Sequence, residues 1–369
     1  MNLRAIISSA VAIVLLWSFP SSSSAPGCCP APMKRGDQVM PVVNADQTVI
    51  IIWDPATQTE HFIRKASFKT AGNDFGFIIP TPYEPDLDES GNDAFPYLYD
   101  VTKPEVKTVP RPANGMGCGC GGGERFNKNA AKASTESHVE VIATKEVAGF
   151  HATVLQASSA NALVEWLKEN GYGFSPEIEA WAKPYVAGGW KFAALKVAAS
   201  DSGDSNKTVA ASALRLSFKT DRPLFPYREP DPKEAAETLG AKRRLLRIYF
   251  ISNAKFQGEL TKEVPWTGKI AWSNYFQDDQ RSEILKRLKL PPVTGPKEWW
   301  LTEFEDAWPY QAAPGDVYFA RSNDQDPVRR KPVEVYARSV WPGDVTIIAI
   351  VGVLIVPPLV SRWRKWRLS

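Results

Sequence analysis

Four cysteines carry the sharpest chemical possibility in this 369-residue chain. Cys28 and Cys29 are adjacent, and Cys118 and Cys120 share the loop CGCGGG at 118–123. In an oxidising compartment an even set of thiols points to disulfides. Adjacent cysteines bond to each other only with strain. The arrangement therefore favours two bridges, Cys28 and Cys29 with Cys118 and Cys120, in either order. Each would close a loop of about 90 residues, worth roughly 4 kcal/mol in the chain-entropy model. The glycines give the backbone freedom to bring both sulfurs to one place. Two other chemistries use the same atoms. Four thiolates suit a zinc or iron–sulfur site, although the spacing departs from the usual C-x2-C pairs. A Cys-x-Cys pair is strained and reducible, which suits thiol redox.

The remaining residue types offer less. There are three histidines, His61, His138 and His151, with no H-E-x-x-H pattern and no serine in a G-x-S-x-G elbow. The glycine loop lacks the Lys-Ser/Thr of a phosphate loop. Asp86, Asp88, Glu89 and Asp93 are dense enough for calcium, but the glycine and final glutamate of a calcium loop are missing. A solvated acidic loop is the simpler reading. Trp166 and Trp181 fall on apolar helix faces and read as core. Trp299, Trp300 and Trp308 could line a groove for a peptide or a sugar, or pack in the core or near a membrane. No residue is assigned a catalytic, cofactor-binding or metal-binding role, and no cofactor is expected.

Hydrophobic residues make up 44% and charged residues 23%, as in a globular chain rather than a disordered tail or a polytopic membrane protein. Proline is frequent, 30 residues against a usual ~5%, and tryptophan reaches 13. That mixture favours β structure and loops over a helical bundle. The formal charge is +3, with 44 basic and 41 acidic residues. Taking one basic residue from 1–27, and four basic and one acidic from 341–369, leaves 39 against 40. The body is neutral, which excludes the basic face that nucleic-acid binding needs.

Both ends address a membrane. Residues 1–27 have the zones of a signal peptide: Arg4 at the start, an apolar run over 5–19, and a small polar cleavage region over 20–27. Cleavage near Ala25 is one reading, and cleavage before Cys28 with lipidation of its thiol is another. Residues 345–360 (VTIIAIVGVLIVPPLV) contain no charge. Extended to 341–361, a helix would cover about 31 Å, close to the hydrocarbon thickness. Trp341 stands at one edge and Trp363 and Trp366 at the other, where amphipathic rings prefer the interface. Arg362, Arg364, Lys365 and Arg367 follow, and positive charge stays cytoplasmic. The expectation is a linker over 331–344, a transmembrane helix over 345–361 and a cytoplasmic tail over 362–369, with the body outside the cell membrane. A buried C-terminal element, or a sorting signal exchanged for another anchor, are the alternatives.

Elements follow from periodicity. The run VIIIW at 49–53, then Asp54 and Pro55, predicts a strand and turn, with 60–68 as its antiparallel partner. A strand is expected at 75–79, an irregular acidic excursion over 83–114, and strands at 138–145 and 149–156. Leu163, Trp166 and Leu167 predict a helix over 160–169, stopped at Asn170 and Gly171. Ser175 and Pro176 open another helix, with Ile178, Trp181, Ala182 and Tyr185 as its stripe and Gly188 and Gly189 as its end. Strands are expected at 190–199, 211–218, 244–251 and 316–321, the last before the linker. Short helices are expected at 282–288 and 297–305. The order predicts an α+β fold, predominantly antiparallel β, in one ectodomain with a β-rich part over 28–145 and an α+β part over 146–330.

The body resembles a bacterial family of exported proteins, domain of unknown function 2330. The resemblance rests on the Cys28 and Cys29 start, VIIIWD at 49–54, DFGFIIPTP at 74–82 and GFHATVLQA at 149–157. It continues through ALVEWLKENGY at 162–172, KPYVAGGWKFAALKV at 183–197, FKTDRPLFPYR at 218–228, WWLTEFE at 299–305 and DVYFAR at 316–321. It implies an exported, membrane-anchored envelope protein and brings no catalytic residue, substrate or cofactor with it. The functional expectation is a noncatalytic binding or scaffold module whose partner is an envelope protein or a glycan. The alternative is a thiol-redox or metal-dependent enzyme using Cys28, Cys29, Cys118 and Cys120.

Overall fold

In the computed structural model, Val49, Ile51 and Trp53 pack into one core while Ile50 and Ile52 pack into another. An uninterrupted apolar run suits a strand with both faces covered. The structure describes residues 29–109, 139–197 and 212–336, with short breaks at 33, 36–37, 40–41, 45, 66–67, 71–74, 174–175, 242–243, 293–297, 308–309 and 311–312. The expected signal peptide over 1–27, Cys28, Cys118, Cys120, Ser175, and the apolar C-terminal stretch with its tail lie outside these residues. Among the described residues no helix is long and apolar enough to cross a membrane.

Strands β1 (Cys29–Pro32), β2 (Lys34–Arg35), β3 (Gln38–Val39), β4 (Val42–Asn44), β5 (Gln47–Asp54), β6 (Thr59–Arg64), β7 (Phe68–Thr70), β8 (Phe75–Thr81) and β9 (Asp86–Ser90) come first. Helix α1 (Ala94–Thr102) and β10 (Val106–Val109) follow. The second stretch holds β11 (Val139–Val147), β12 (Phe150–Ala157), α2 (Ala160–Glu169), α3 (Pro176–Ala187) and β13 (Lys191–Val197). The third holds β14 (Ala213–Lys219), β15 (Leu224–Phe225), α4 (Lys233–Thr238), β16 (Leu246–Ser252) and β17 (Phe256–Glu259). It ends with β18 (Lys269–Phe276), α5 (Asp278–Arg287), β19 (Trp299–Asp306), β20 (Val317–Arg321) and β21 (Val333–Tyr336).

Two sheets dominate. One has the order β1-β8-β13-β12-β11 and is antiparallel throughout. The other has the order β18-β19-β16-β5-β6-β14-β9, and its one parallel pair is β5 with β16, where Val49 faces Ile248. A smaller sheet, β15-β20-β17, lies beside them. The inner faces of the two large sheets share the main core, with Phe62, Phe77, Phe150, Leu195, Leu216 and Phe250. Helices α2 and α3 cover the outer face of the five-stranded sheet over Ile78, Leu155 and Phe192. Helices α1 and α5 cover part of the seven-stranded sheet over Ile50, Ile63 and Ile251. The layers therefore read helix, sheet, sheet, helix.

Local signals explain the turns. Asp54 accepts from the Ala56 amide at 2.9 Å and the Thr57 hydroxyl at 2.8 Å, closing the β5–β6 hairpin. Ala148 and Gly149 have φ of 54° and 82°, as a two-residue hairpin between β11 and β12 requires. Ser159 caps α2 by accepting from the Ala162 amide, and Gly171 ends it at φ 82°.

The chain divides into two compact units. The larger comprises 1–102 and 130–329, and the smaller comprises 103–129 and 330–369. Within the smaller, β10 and β21 form a parallel ribbon with Val106 opposite Val333.

Several expectations are corrected. The excursion over 83–114 contains β9, α1 and β10 rather than irregular chain. Two acids of β9 are paired with distant cations: Asp88 binds Arg215 on β14 at 2.6 Å and Glu89 binds Lys289, just after α5, at 2.6 Å. Residues 297–305 carry strand β19 instead of a helix. Its Glu303 and Glu305, on one face of the strand, are both held by Arg247 on β16, at 2.7 and 2.6 Å. The strand at 316–321 is followed by another, β21, inside the expected linker.

Two buried charges test this architecture. Glu229 and Arg244 pair at almost complete burial on either side of α4, and the guanidinium lies 4.3 Å from the Tyr310 ring centroid. Glu229→Ala leaves that guanidinium buried without this carboxylate and should cost about 3–5 kcal/mol in urea unfolding. Glu60 lies on the inner face of β6, fully buried, with Oε2 accepting from the Leu224 amide at 2.9 Å and no hydrogen bond to Oε1. Burial drives its carboxyl well above the usual 4.5, against the Leu224 bond. The native state keeps this proton while the unfolded state releases it above that value, so stability falls as pH rises through the raised native pKa. Glu60→Gln should match the parent near pH 4 and exceed it at pH 7 by on the order of 1 kcal/mol or more.

Candidate functional site

Among the described residues, the histidine, tryptophan and acidic candidates do not converge on one site, and three of the four cysteines, Cys28, Cys118 and Cys120, lie outside those residues. Cys29 is fully buried on β1, opposite Ile78, in the core beneath α2 and α3. Trp181 and Trp299 are core residues, and Trp300 donates to the Ser273 hydroxyl at 2.6 Å. Trp308 and His138 lie outside the described residues. His151 sits near Glu146 at 3.1 Å with both side chains largely exposed. No group of three His, Cys, Asp or Glu side chains among the described residues is placed to hold a metal ion.

One pairing invites a catalytic reading. Strand register sets His61 beside Ser217, and Nδ1 lies 2.8 Å from the hydroxyl. Burial, then the charge of Arg215, holds this imidazole down at about 4. It is neutral at physiological pH and a weak base, poorly matched to activating a serine. The nearby Asp54 carboxylate is occupied by its own turn. This is a cross-strand hydrogen bond on the outer face of the sheet.

The constellation that does converge is a cleft of about 420 Å³. Pro82 and Tyr83 contribute from the end of β8, and Gly188, Gly189, Trp190 and Lys191 from the α3–β13 turn. Thr220, Asp221, Arg222 and Leu224 contribute from the β14–β15 connection, and Tyr318 from β20. Its volume falls within the range of small-molecule sites. Tyr83 is 54% exposed at the lip. Gly189 takes φ 72°, which lets the chain leave α3 and re-enter the sheet within three residues. The Trp190 amide closes that turn on the Tyr185 carbonyl at 3.0 Å.

Polar ties behind the wall set its width. Tyr185 on α3 donates to Asp316 Oδ1 at 2.7 Å, and the Arg228 amide donates to the same oxygen at 3.1 Å. Asp316 directly precedes β20, so this pair links the Trp190 turn to the strand carrying Tyr318. Trp181 adds a bond from its indole to the Arg228 carbonyl at 3.0 Å. Burial raises the Asp316 carboxyl, against the bonds from Arg228 and Tyr185, and burial likewise holds the Tyr185 hydroxyl protonated. On the opposite wall Arg222 pairs with Glu259 and lies 5.2 Å from the Tyr318 ring centroid. Lys191 Nζ donates to the Gly189 carbonyl at 3.2 Å, a neutral acceptor.

The arrangement offers three rings, an ammonium, an exposed carboxylate at Asp221 and a guanidinium already neutralised. These groups bind and orient. Sequence reading places Trp190, Lys191 and Tyr318 only as strand positions, because the cleft assembles from segments up to 236 residues apart, Pro82 to Tyr318. The one local signal was the glycine pair before Trp190, a chain reversal that exposes its neighbours.

No curated protein and no solved structure matches this chain. A family model described as an uncharacterized protein conserved in bacteria, DUF2330, matches residues 23–290. The match takes in the five-stranded sheet, the seven-stranded sheet except β19, α2 and α3, and every segment of the cleft wall except Tyr318. The chain belongs to the bacterial family DUF2330.

Proposed function

We propose that this chain is an exported, membrane-tethered binding module of the bacterial envelope, and that its ligand occupies the cleft between β8, the α3–β13 turn and β20. The observation that carries the reading is the convergence of Tyr83, Trp190 and Tyr318 around one cavity held open by buried polar ties. Aromatic rings give large contact area at small cost in side-chain entropy, and the rigid wall lowers the ordering cost of binding. The signal-like 1–27 and the apolar 345–361 with its basic tail support export and a C-terminal tether. In this reading the paired cysteines brace the N-terminal strand, since Cys29 is buried among apolar neighbours, where thiols are inert.

Topology and binding are tested together. The full chain should fractionate with membranes and lose its body, but not its tail, to protease added outside. Removing 341–369 should release the body in soluble form on the outer side. Retention of the body in the cytosol overturns the reading. Full chain should sediment with isolated cell envelopes, and Trp190→Ala should reduce that retention about tenfold by removing a central ring. Tyr185→Phe leaves Asp316 short of a donor and should cost about 1–3 kcal/mol in stability, with weaker retention as the wall loosens.

A further inference from the structure

We infer that the cleft takes a saccharide bearing a carboxylate, with its ring faces on Tyr83, Trp190 and Tyr318 and its acid on Lys191; this rests on the binding reading above. The rings and the charges select the class. An extended peptide would gain most by adding a strand to an open sheet edge. The cleft offers none: β8, β13 and β14 are interior strands of their sheets. The Leu224 amide, on the outer edge of β15, is already taken by Glu60. What remains open is a lining that mixes three rings with polar groups, and a pyranose offers both an apolar face and hydroxyls to such a lining.

The charges then discriminate among sugars. Arg222 is neutralised by Glu259 and held against Tyr318, so it contributes a fixed planar surface more than a free charge. Lys191 is different. Its ammonium touches only a carbonyl, and no acid pairs with it among the described residues. It lines the same cleft as Trp190, which places a carboxylate bound there within the same ligand as a sugar unit stacked on that ring. Asp221 is exposed and able to accept from sugar hydroxyls.

The test uses the full chain in a non-glycosidic detergent, titrated calorimetrically with galacturonic acid trimers and neutral galactose trimers. The acidic trimer should bind about tenfold more tightly, an advantage that falls as salt rises. Lys191→Met should abolish the difference, and Lys191→Arg should keep most of it. Tyr83→Ala, at an exposed lip position where folding is unaffected, should weaken both trimers. Equal affinity for the two trimers, or an unchanged preference in Lys191→Met, overturns the carboxylate assignment. If neither trimer binds while Tyr83→Ala and Trp190→Ala still reduce retention on cell envelopes, the saccharide inference fails and the binding reading stands. If those variants alter neither, both fail.

Discussion

The structure depends on two sheets that share one core and whose central strands are buried on both faces. A sheet covered on one side reads as alternation, and a sheet covered on both reads as a continuous apolar run. Strand β5 is the extreme case: Val49, Ile51 and Trp53 serve the inter-sheet core, and Ile50 and Ile52 the core beneath α1 and α5. Burying each such side chain contributes about 1.5–3 kcal/mol, so this strand anchors two layers at once. It also sits at the parallel junction with β16, where Val49 to Ile52 face Ile248 to Ile251. A one-residue slip there would exchange the contents of the two cores, which pins the register of the whole seven-stranded sheet.

Where that apolar layer ends, polar chemistry takes over, and the cleft lies in this margin. Glu60 shares the inner face of β6 with Phe62, one residue pair from the turn, and binds the Leu224 amide. Tyr185 and Asp316 fasten α3 to the start of β20. Neither contact supplies much net stability, because each takes a polar group out of water. Their contribution is directional. A hydrophobic contact tolerates sliding, while a hydrogen bond of 2.7 Å between buried partners does not. The aromatic walls are therefore set by groups that never meet a ligand.

Much of the architecture was legible in the residues. The β5–β6 hairpin, the two helices with glycine stops, and strands β8, β11, β12, β13, β14, β16 and β20 follow from period and turn chemistry. The errors have physical causes. Residues 297–305 carry three glutamates, and only the arrival of Arg247 from β16 makes two of them, Glu303 and Glu305, compatible with a largely buried strand. The 83–114 stretch looks like surface chain because its acids find Arg215 and Lys289 across sequence separations that no local pattern records. The cleft was illegible for the same reason: its rings come from the chain after β8, the α3–β13 turn and β20, and only the glycine pair before Trp190 marks one of these segments locally.

The contrast between the anticipated and observed aromatic sites shows what makes an aromatic residue available. Trp299 and Trp300 are adjacent on a strand, so they point to opposite faces, and in a doubly covered sheet both faces are occupied. Trp299 is consumed by the core and Trp300 by its bond to Ser273. Trp190 stands instead on a reversal forced by Gly188 and Gly189, half in the core against Tyr185 and half in the cleft. That position backs the ring with Tyr185 while part of it lines the cleft. A tryptophan in a regular element of this fold is structural almost by geometry. One at the mouth of a glycine turn, backed by a buried tyrosine, is placed to meet something outside the chain.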